Sequence, residues 1–398
     1  LFPMIYDVPA AAFPVKTSTG VWGGDNVRKN PVAESVAKGF SVGNDRALYA
    51  DLRIIQDLSV LTSGLSAELA IAYDNRASYW DNKTKNYLYE SLQPVRDNGG
   101  TITDITRTRY GQETDLSFSS SLGYQNRVTT FEAKVNYEKN LQDMHQLNAA
   151  VIYHQEENSL KGINNTYRRQ SYIGNASYAY KSKYLADLVL TYSGSSVLGS
   201  SDKYAFFPAV SAGWVISSED FMKEVTAIDY LKARASWGIT GSDRFAYDYD
   251  KYYFKTGISS YFFGDNNNSV SGNGEFRLPN LKLKPETAYK FNFGIDMEVF
   301  KRLSLSADAF YEKRTNILVN SSAIYSSVLG VSTPILNDGE VKNYGFEAGL
   351  SWRDRIGDFT YMLAGNFTFA RNEIVNMDEG YKPYDYLKNT GNRIGQYY

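Results

Sequence analysis

Apolar and polar residues alternate in short segments that recur along most of the chain, from Leu48 to Phe369. Between Tyr289 and Met297, every second residue is large and apolar or aromatic, and the residues between them are polar, charged or glycine. Because successive side chains of a β-strand point to opposite faces, such a segment has one apolar face and one polar face. The pattern predicts an all-β fold built from amphipathic strands.

Twelve of these segments group into six hairpins whose members are joined by short turns. The pairs are 48–54 with 65–73, 131–137 with 147–153, 172–180 with 184–192, 210–216 with 231–239, 289–297 with 303–311, and 346–352 with 359–369. Long polar connections, such as 75–130 and 240–287, join successive hairpins. Outer-membrane barrels have short periplasmic turns and long external loops, and strands of ~9–11 residues cross their membrane at a tilt. We therefore predict a transmembrane antiparallel up-and-down β-barrel in the outer membrane of a Gram-negative cell.

The prediction treats the whole chain, residues 1–398, as part of one β-barrel domain, because no change of composition and no Pro/Gly/Ser-rich linker divides it. Residues 1–45 and 372–398 are expected to be extracellular loops, and residues 46–371 the barrel strands and their loops.

Two connections need a closer assignment. Residues 116–124 also alternate, and we assign them to an extra hairpin inside the connection 75–130, because a further membrane strand would break the alternation of short and long connections. The connection before residue 231 predicts one short helix at about 218–228, with Ser217 as its N-cap and Asp220 three residues later.

Aromatic residues are in excess, with 33 Tyr, 21 Phe and 5 Trp in the chain. Tyrosine and tryptophan favour the boundary between a membrane and water, although tyrosine is also a good strand former. Several lie where the apolar face of a segment ends, and this position favours an aromatic girdle. The predicted girdle residues are Tyr73, Tyr137, Tyr153, Tyr192, Trp237, Tyr311 and Trp352.

A soluble all-β protein would also alternate, with its apolar face turned to a core. Paired charges in the middle of the segments, such as Lys232 with Arg234 and Asp296 with Glu298, favour a water-filled interior instead. No apolar run approaches the ~20 residues that a membrane helix needs.

Composition and charge exclude several kinds of chemistry. The chain has 42 basic and 44 acidic residues, so nothing indicates nucleic acid as a partner, and it has no cysteine for a disulfide or a thiolate site. The two histidines, His145 and His154, do not indicate a catalytic triad. The stretch 265–268 begins like a calcium loop but has Val270 and Phe276 where glycine and glutamate are required. We therefore predict no catalytic residue, no metal and no cofactor.

Exposed aromatic residues of the external loops are the candidates for binding. Aromatic rings can stack on sugar faces or anchor a protein partner, and the alternative is that long loops bury them among themselves. The candidates are Tyr79, Trp80, Tyr261, Phe262 and Phe263.

Five motifs, in this order along the chain, resemble the SusC/RagA-like TonB-dependent transporters. They are Asp202–Tyr204 followed by Phe207–Trp214, Leu231–Gly241, Asn280–Thr287, Asp308–Thr315 and Asn337–Glu347. Each motif is loose on its own, but the ordered set is specific. The resemblance covers most of the chain from about Asn30 onward.

The resemblance implies a 22-stranded barrel with an N-terminal plug domain and a TonB box, energised by the TonB–ExbB–ExbD system. It also implies a SusD-like surface lipoprotein as partner, and import of oligosaccharides, other glycans or peptides. Outer-membrane lipid and lipopolysaccharide would surround such a barrel. We find no plug and no TonB box in the sequence, and we expect it to be the middle of a longer transporter rather than a small closed barrel.

Two other functions remain open. A passive porin or a barrel-anchored surface adhesin would have the same strands without an upstream plug, and the sequence before Leu1 would distinguish it. A barrel enzyme such as a lipase or protease needs a clustered nucleophile and base, and the scarcity of histidine argues against it.

Overall fold

The computed structural model describes residues 2–9, 11–142, 144–160, 166–199, 203–244, 249–265, 267–323 and 325–396. Within them the chain forms seventeen β-strands and two short α-helices. The helices are α1 (Phe2–Asp7) and α2 (Pro31–Val36). The strands are β1 (Trp22–Gly23), β2 (Gly39–Asp57), β3 (Leu65–Thr84), β4 (Tyr89–Arg96), β5 (Ile102–Tyr110), β6 (Ser117–Leu141), β7 (His145–Leu160), β8 (Thr166–Tyr180), β9 (Tyr184–Ser195), β10 (Tyr204–Val215), β11 (Ile228–Ser242), β12 (Tyr253–Phe263), β13 (Asn268–Arg277), β14 (Glu286–Val299), β15 (Leu303–Asn320), β16 (Ile335–Ile356) and β17 (Phe359–Asn376). No helix in these ranges has the length and apolar character needed to cross a membrane.

Twelve strands form one large sheet in the order β17-β16-β15-β14-β11-β10-β9-β8-β7-β6-β3-β2. The pairings from β7 to β17 are all antiparallel. These strands contain the twelve predicted segments, and neighbours in the sequence of hairpins are neighbours in the sheet. The prediction of an antiparallel, up-and-down order of strands is therefore confirmed for this part of the chain.

The strands are longer than the segments, and this changes the assignment of residues 116–124. Residues 117–124 are not a separate hairpin, because β6 continues through them to residue 141 without a break. The stretch 125–130 is polar apart from Val128 and therefore indicates a loop, yet the backbone pairing that forms a strand does not require an apolar face. The extra hairpin of this connection exists, but it consists of β4 and β5.

The predicted helix at about residues 218–228 is wrong. The segment contains only two 3₁₀ turns, Ile216–Ser218 and Asp220–Met222, and neither has a side-chain cap from Ser217. Glu219 lies between them in an extended conformation. Its carboxylate accepts hydrogen bonds from Trp214 Nε1 at 3.0 Å and Lys183 Nζ at 3.2 Å. These contacts, with Trp214 of β10 and with Lys183 of the turn between β8 and β9, hold Glu219 out of the helix that the local sequence would allow.

The chain divides into two compact units, which are described separately. The first comprises Leu1–Tyr49, Asp74–Arg127 and Leu160–Gly162. It contains a three-stranded sheet in the order β1-β4-β5. Glu90 of β4 is fully buried there, and its Oε1 accepts hydrogen bonds from the hydroxyls of Thr17 at 2.5 Å and Thr19 at 2.7 Å and from Arg107 Nη1 at 3.2 Å. The hydrogen bond from Thr17, followed by the one from Thr19, lowers the pKa of Glu90 below its ordinary value. The buried carboxylate of Glu90 therefore links residues 17–19 to the β4–β5 hairpin.

The second unit comprises Ala50–Tyr73, Val128–Ser159 and Ile163–Tyr398. An ion-paired arginine connects three of its adjacent strands. Arg234 of β11 donates to Asp308 of β15 at 2.6 and 2.7 Å and, from Nε, to Asp296 of β14 at 3.0 Å. Its guanidinium lies over Gly294, where an added Cβ would come within 2.5 Å of the guanidinium carbon. The glycine therefore lets the cation lie flat across β14 and reach both carboxylates.

Replacing Gly294 with alanine should destabilise this part of the sheet. The new methyl group would push the guanidinium away and lengthen its bonds to Asp296 and Asp308, at a cost of about 1 kcal/mol for partly exposed charged hydrogen bonds. The midpoint of thermal unfolding of the detergent-solubilised full-length protein measures the effect. Gly174→Ala is the matched control, since a Cβ there would meet nothing within 4 Å. Equal midpoints for the two variants would contradict the role of Gly294.

Candidate functional site

One face of the large sheet, here called the polar face, carries charged and hydroxyl side chains along several strands. Paired positions bring Arg234, Gly294, Asp308 and Glu347 into one row across β11, β14, β15 and β16. On β9 and β10 the same face carries Asp187, which accepts a hydrogen bond from Ser211 Oγ at 2.8 Å. Such a surface can line a water-filled space, but its charged groups could not be buried in hydrocarbon without a large cost in free energy.

The opposite face, here called the aromatic face, carries rows of rings. The first row joins Tyr153, Tyr172, Tyr192 and Phe206 across β7 to β10. The second joins Trp237, Phe291, Tyr311 and Tyr344 across β11 to β16.

Four predicted girdle residues therefore fall into two continuous rows on one face. The structure adds ring-bearing neighbours that were missed: Tyr172, Phe206, Phe291 and Tyr344. The register between strands is the signal that would have found them, because each lies directly opposite a member of the row.

The other three girdle residues lie elsewhere along their strands. Tyr137 and Trp352 lie towards the short-turn ends of β6 and β16, and Tyr73 lies near the middle of β3. Phe131 shares the aromatic face with Tyr153, since their ring centroids are 6.1 Å apart. Tyr137 is six residues further along the same strand and therefore lies on the aromatic face too. The aromatic residues are therefore at two levels.

The separation of these levels on β16 suits a membrane. From Tyr344 to Trp352 the strand advances eight residues, or about 27 Å at ~3.4 Å per residue. With the ~40° tilt usual in outer-membrane barrels, this is about 21 Å across the membrane, close to the ~25 Å apolar band of such barrels.

Charges follow directly beyond the second row. Lys313 pairs with Tyr289 on the aromatic face and bonds to Glu340 at 2.8 Å, and Lys342 bonds to Glu373 at 2.9 Å. The face thus changes from apolar to aromatic to charged within a few residues towards the long loops.

A cavity of about 380 Å³ opens at the long-loop end of β8 to β11. Its lining combines hydroxyl groups with apolar side chains, and the ring of Phe207 lies over Gly241. The polar lining residues are Arg169, Ser171, Thr191, Ser193, Ser195, Thr240, Ser242 and Asp243. Most of them extend from the polar face, so this cavity is the candidate functional site.

An ion pair whose carboxylate is buried forms one side of the cavity. Asp243, only 6% exposed, accepts hydrogen bonds from the Tyr167 hydroxyl at 2.6 Å and from the Arg169 guanidinium. Burial acts to raise the pKa of Asp243, but the hydrogen bonds from Tyr167 and Ser195 and the charge of Arg169 outweigh it and hold the pKa below its ordinary value. Burial and the Asp243 carboxylate raise the pKa of Tyr167. The cavity therefore contains both charges of a neutralised pair, with hydroxyl groups around them.

The aromatic binding candidates lie in strands, within what the sequence indicates as loops. The Trp80 ring packs against Gly43 and Gly123, and Tyr79 lies 5.1 Å from the guanidinium of Arg46. These contacts give both residues a structural role in the first unit.

The second group of candidates is more accessible. Tyr261, Phe262 and Phe263 lie at the end of β12, next to the turn to β13, and are 68%, 67% and 59% exposed. Of the two groups of binding candidates, this one presents the more exposed rings.

The histidines have local partners. His145 Nδ1 is 2.7 Å from the Tyr178 hydroxyl, and His154 Nδ1 is 3.3 Å from Glu132 Oε2. Among the residues that the structure describes, no group of three or more His, Cys, Asp or Glu is arranged to hold a metal ion.

Comparison with known proteins identifies the family. The family model described as "TonB dependent receptor-like, beta-barrel" matches residues 8–397. The chain belongs to this family. TonB-dependent receptor P39 of Formosa agariphila is 31% identical over 72% of this chain and 30% of its own length. TonB-dependent receptor SusC of Bacteroides thetaiotaomicron is 32% identical over 57% of this chain and 22% of its own length.

Solved structures share the fold. A structure of the RagAB peptide importer in its open-open state matches 92% of this chain and 40% of the chain compared, with a TM-score of 0.64 at 18% identity. The resemblance to SusC/RagA-like transporters, the β-barrel fold and the outer-membrane location are thus confirmed. The chain spans less than a third of the length of these curated relatives.

The ion pair of the cavity should persist at neutral pH and fail only in acid. The pKa of Asp243 in the folded protein is below the ordinary ~3.9 of aspartate. The ion pair therefore makes its full contribution to stability at pH values above ~3.9, and this contribution is lost as the pH falls through the lower pKa of the folded state. Hydrogen exchange of residues 166–171 and 240–244, corrected for intrinsic rates, should be constant between about pH 5 and 8 and increase at lower pH. Asp243→Asn should exchange faster at neutral pH and lose the acid-dependent step. An acid step retained in this variant would assign it to another group.

Proposed function

We propose that this chain is the barrel portion of a TonB-dependent importer that takes oligosaccharides, other glycans or peptides across the outer membrane. The observation that supports this most is the separation of the sheet into an aromatic face and a polar face, in a chain that belongs to the TonB-dependent receptor barrels. In this proposal the aromatic face contacts lipid, with its rings as a girdle, and the polar face lines the aqueous interior. The protein acts by transport, and no residue has a catalytic role.

The cavity at the long-loop end has the position and lining of a solute subsite. Its hydroxyl groups can exchange hydrogen bonds with a polar solute, and the Phe207 ring offers an apolar surface beside them. Because Arg169 and Asp243 neutralise each other, the subsite needs no net charge on the solute.

The partners proposed are those of the SusC type: a SusD-like surface lipoprotein at the external side, and TonB–ExbB–ExbD acting through a plug that belongs to a longer polypeptide. The relative named SusC and the fold shared with the RagAB peptide importer support the proposal. The exposed rings of Tyr261, Phe262 and Phe263 suit contact with a partner protein. A passive porin or a surface adhesin is less favoured, because the family that matches is one of TonB-dependent receptors.

Filling the cavity should impair uptake. Thr191→Trp places a large ring among the hydroxyl groups and removes one or two hydrogen bonds from the solute, about 1.4 kcal/mol, which weakens its binding about tenfold. Growth of a strain carrying the full-length gene on single oligosaccharides and peptides, with the barrel quantified in the outer membrane, measures the effect at limiting nutrient.

Asn343→Trp is the control for this variant. Asn343 lies on the polar face at the level of Ala209, across β11, β14 and β15 from the cavity. Equal growth of both variants and the wild type would remove the cavity from the transport path. Normal growth of the gene deletion on every nutrient tried would count against import itself.

The membrane placement of the aromatic face has a separate test. In a variant that keeps Trp237 as its sole tryptophan, fluorescence should be quenched by lipids brominated near the headgroup and less by lipids brominated at the chain end, since the girdle lies at the interface. A variant that keeps only Trp22, in the segment predicted as an external loop, should be quenched by neither. Strong quenching of Trp237 from the chain end would contradict a girdle at this level.

A further inference from the structure

A group of tyrosines on the aromatic face is held together by two glutamines. Gln170 Nε2 donates to the hydroxyls of Tyr153 at 2.7 Å and Tyr172 at 3.3 Å, and Gln170 Oε1 accepts a hydrogen bond from Tyr204. The Tyr153 hydroxyl in turn donates to Gln155 Oε1 at 2.9 Å. The phenol hydroxyls therefore converge at the long-loop side of the first aromatic row and form an ordered polar edge.

The ring of Tyr204 lies flat on the sheet within this group. It stacks on Tyr192 with centroids 5.1 Å apart, and a Cβ added at Gly194 would be only 2.5 Å from it. Glycine at position 194 is thus needed for the ring to lie against the strand.

A second cavity, of about 240 Å³, lies beside this edge. Arg168, Arg169 and Lys203 contribute cationic groups to its lining, and Gln155, Gln170, Ser195, Ser196 and Tyr204 contribute neutral polar groups. Arg169 is the arginine that is paired with Asp243, and no carboxylate lines this cavity among the described residues. Arg168 is fixed from two sides, because its Nε bonds to Glu157 Oε2 at 2.9 Å and its backbone N–H donates to Ser196 Oγ at 2.9 Å.

An apolar strip continues from this edge towards the short turns. On the same face of β9 and β10 the strip consists of Tyr192, Leu190, Leu188, Phe206 and Val210, which are 47%, 38%, 43%, 54% and 45% exposed. The cavity with its cations therefore lies at the polar end of an exposed apolar strip.

We propose that this cavity binds the phosphorylated headgroup of an outer-leaflet lipid, with its acyl chains along the apolar strip. The cavity has Lys203 beside two arginines, Arg168 and Arg169, which are paired with Glu157 and Asp243, and its hydrogen-bond donors suit a phosphate. Basic groups near a membrane surface attract anionic headgroups. A free phosphate would use the cavity but not the strip, and the joint presence of both favours a lipid. The proposal rests on the membrane placement of the aromatic face, which the fluorescence of Trp237 tests independently.

The test uses the full-length protein in detergent, with bisphosphorylated lipid A and dephosphorylated lipid A as probes and native mass spectrometry as the readout. Bisphosphorylated lipid A should bind and be retained. Lys203→Gln should weaken its binding about fivefold, since a cation near a membrane surface contributes about 1 kcal/mol of attraction to an anionic headgroup. Lys203→Gln with Arg168→Gln should weaken the binding further. Lys203→Arg should restore binding.

The control is Lys282→Gln, which removes an exposed lysine from the connection between β13 and β14 and should leave lipid binding unchanged. Equal binding of dephosphorylated lipid A, or wild-type binding by the double variant, would overturn the proposal. Binding of inorganic phosphate as tightly as the lipid would also overturn it, because the strip would then contribute nothing. Nutrient uptake is measured separately with Thr191→Trp, so failure of the lipid site leaves the transport proposal standing.

Discussion

The register between strands is the constraint on which the rest of the structure depends. A slip of one residue would move every side chain of a strand to the opposite face. In the present register, Arg234 lies in one row with Gly294 and Asp308, while Trp237 lies in another with Phe291 and Tyr311. One set of pairings thus produces both the ionic row and the aromatic row, and the cavity on the polar face depends on the same alignment.

Much of this arrangement could be predicted from the sequence because the alternation of apolar and polar residues along each strand determines it. The alternation in residues 289–297 depends only on neighbours in the chain, and it identifies the strand, its two faces and the aromatic character of one of them. Short turns such as 181–183 and 300–302 then place consecutive strands side by side. The twelve strands of the sheet follow from these two features.

What the sequence could not supply depends on contacts between distant residues. Glu219 is a reasonable helix residue by local criteria, yet the side chains of Lys183, in a turn, and Trp214, on a strand, hold it extended. The cavity combines residues of four strands, with Arg169 and Asp243 separated by 74 positions. The ends of the strands were also misjudged, since polar stretches such as 125–130 remain paired without any apolar periodicity.

In the proposed importer, the flat position of Arg234 has a consequence for any solute that moves along the polar face. A guanidinium that lies across Gly294 adds little height to the wall, and its two carboxylate partners leave it no net attraction for a passing anion. An upright arginine would instead project into the passage and act as a selective barrier. In the proposed importer, Gly294 would therefore keep this part of the wall low, and one arginine facing two aspartates would give it a net negative charge.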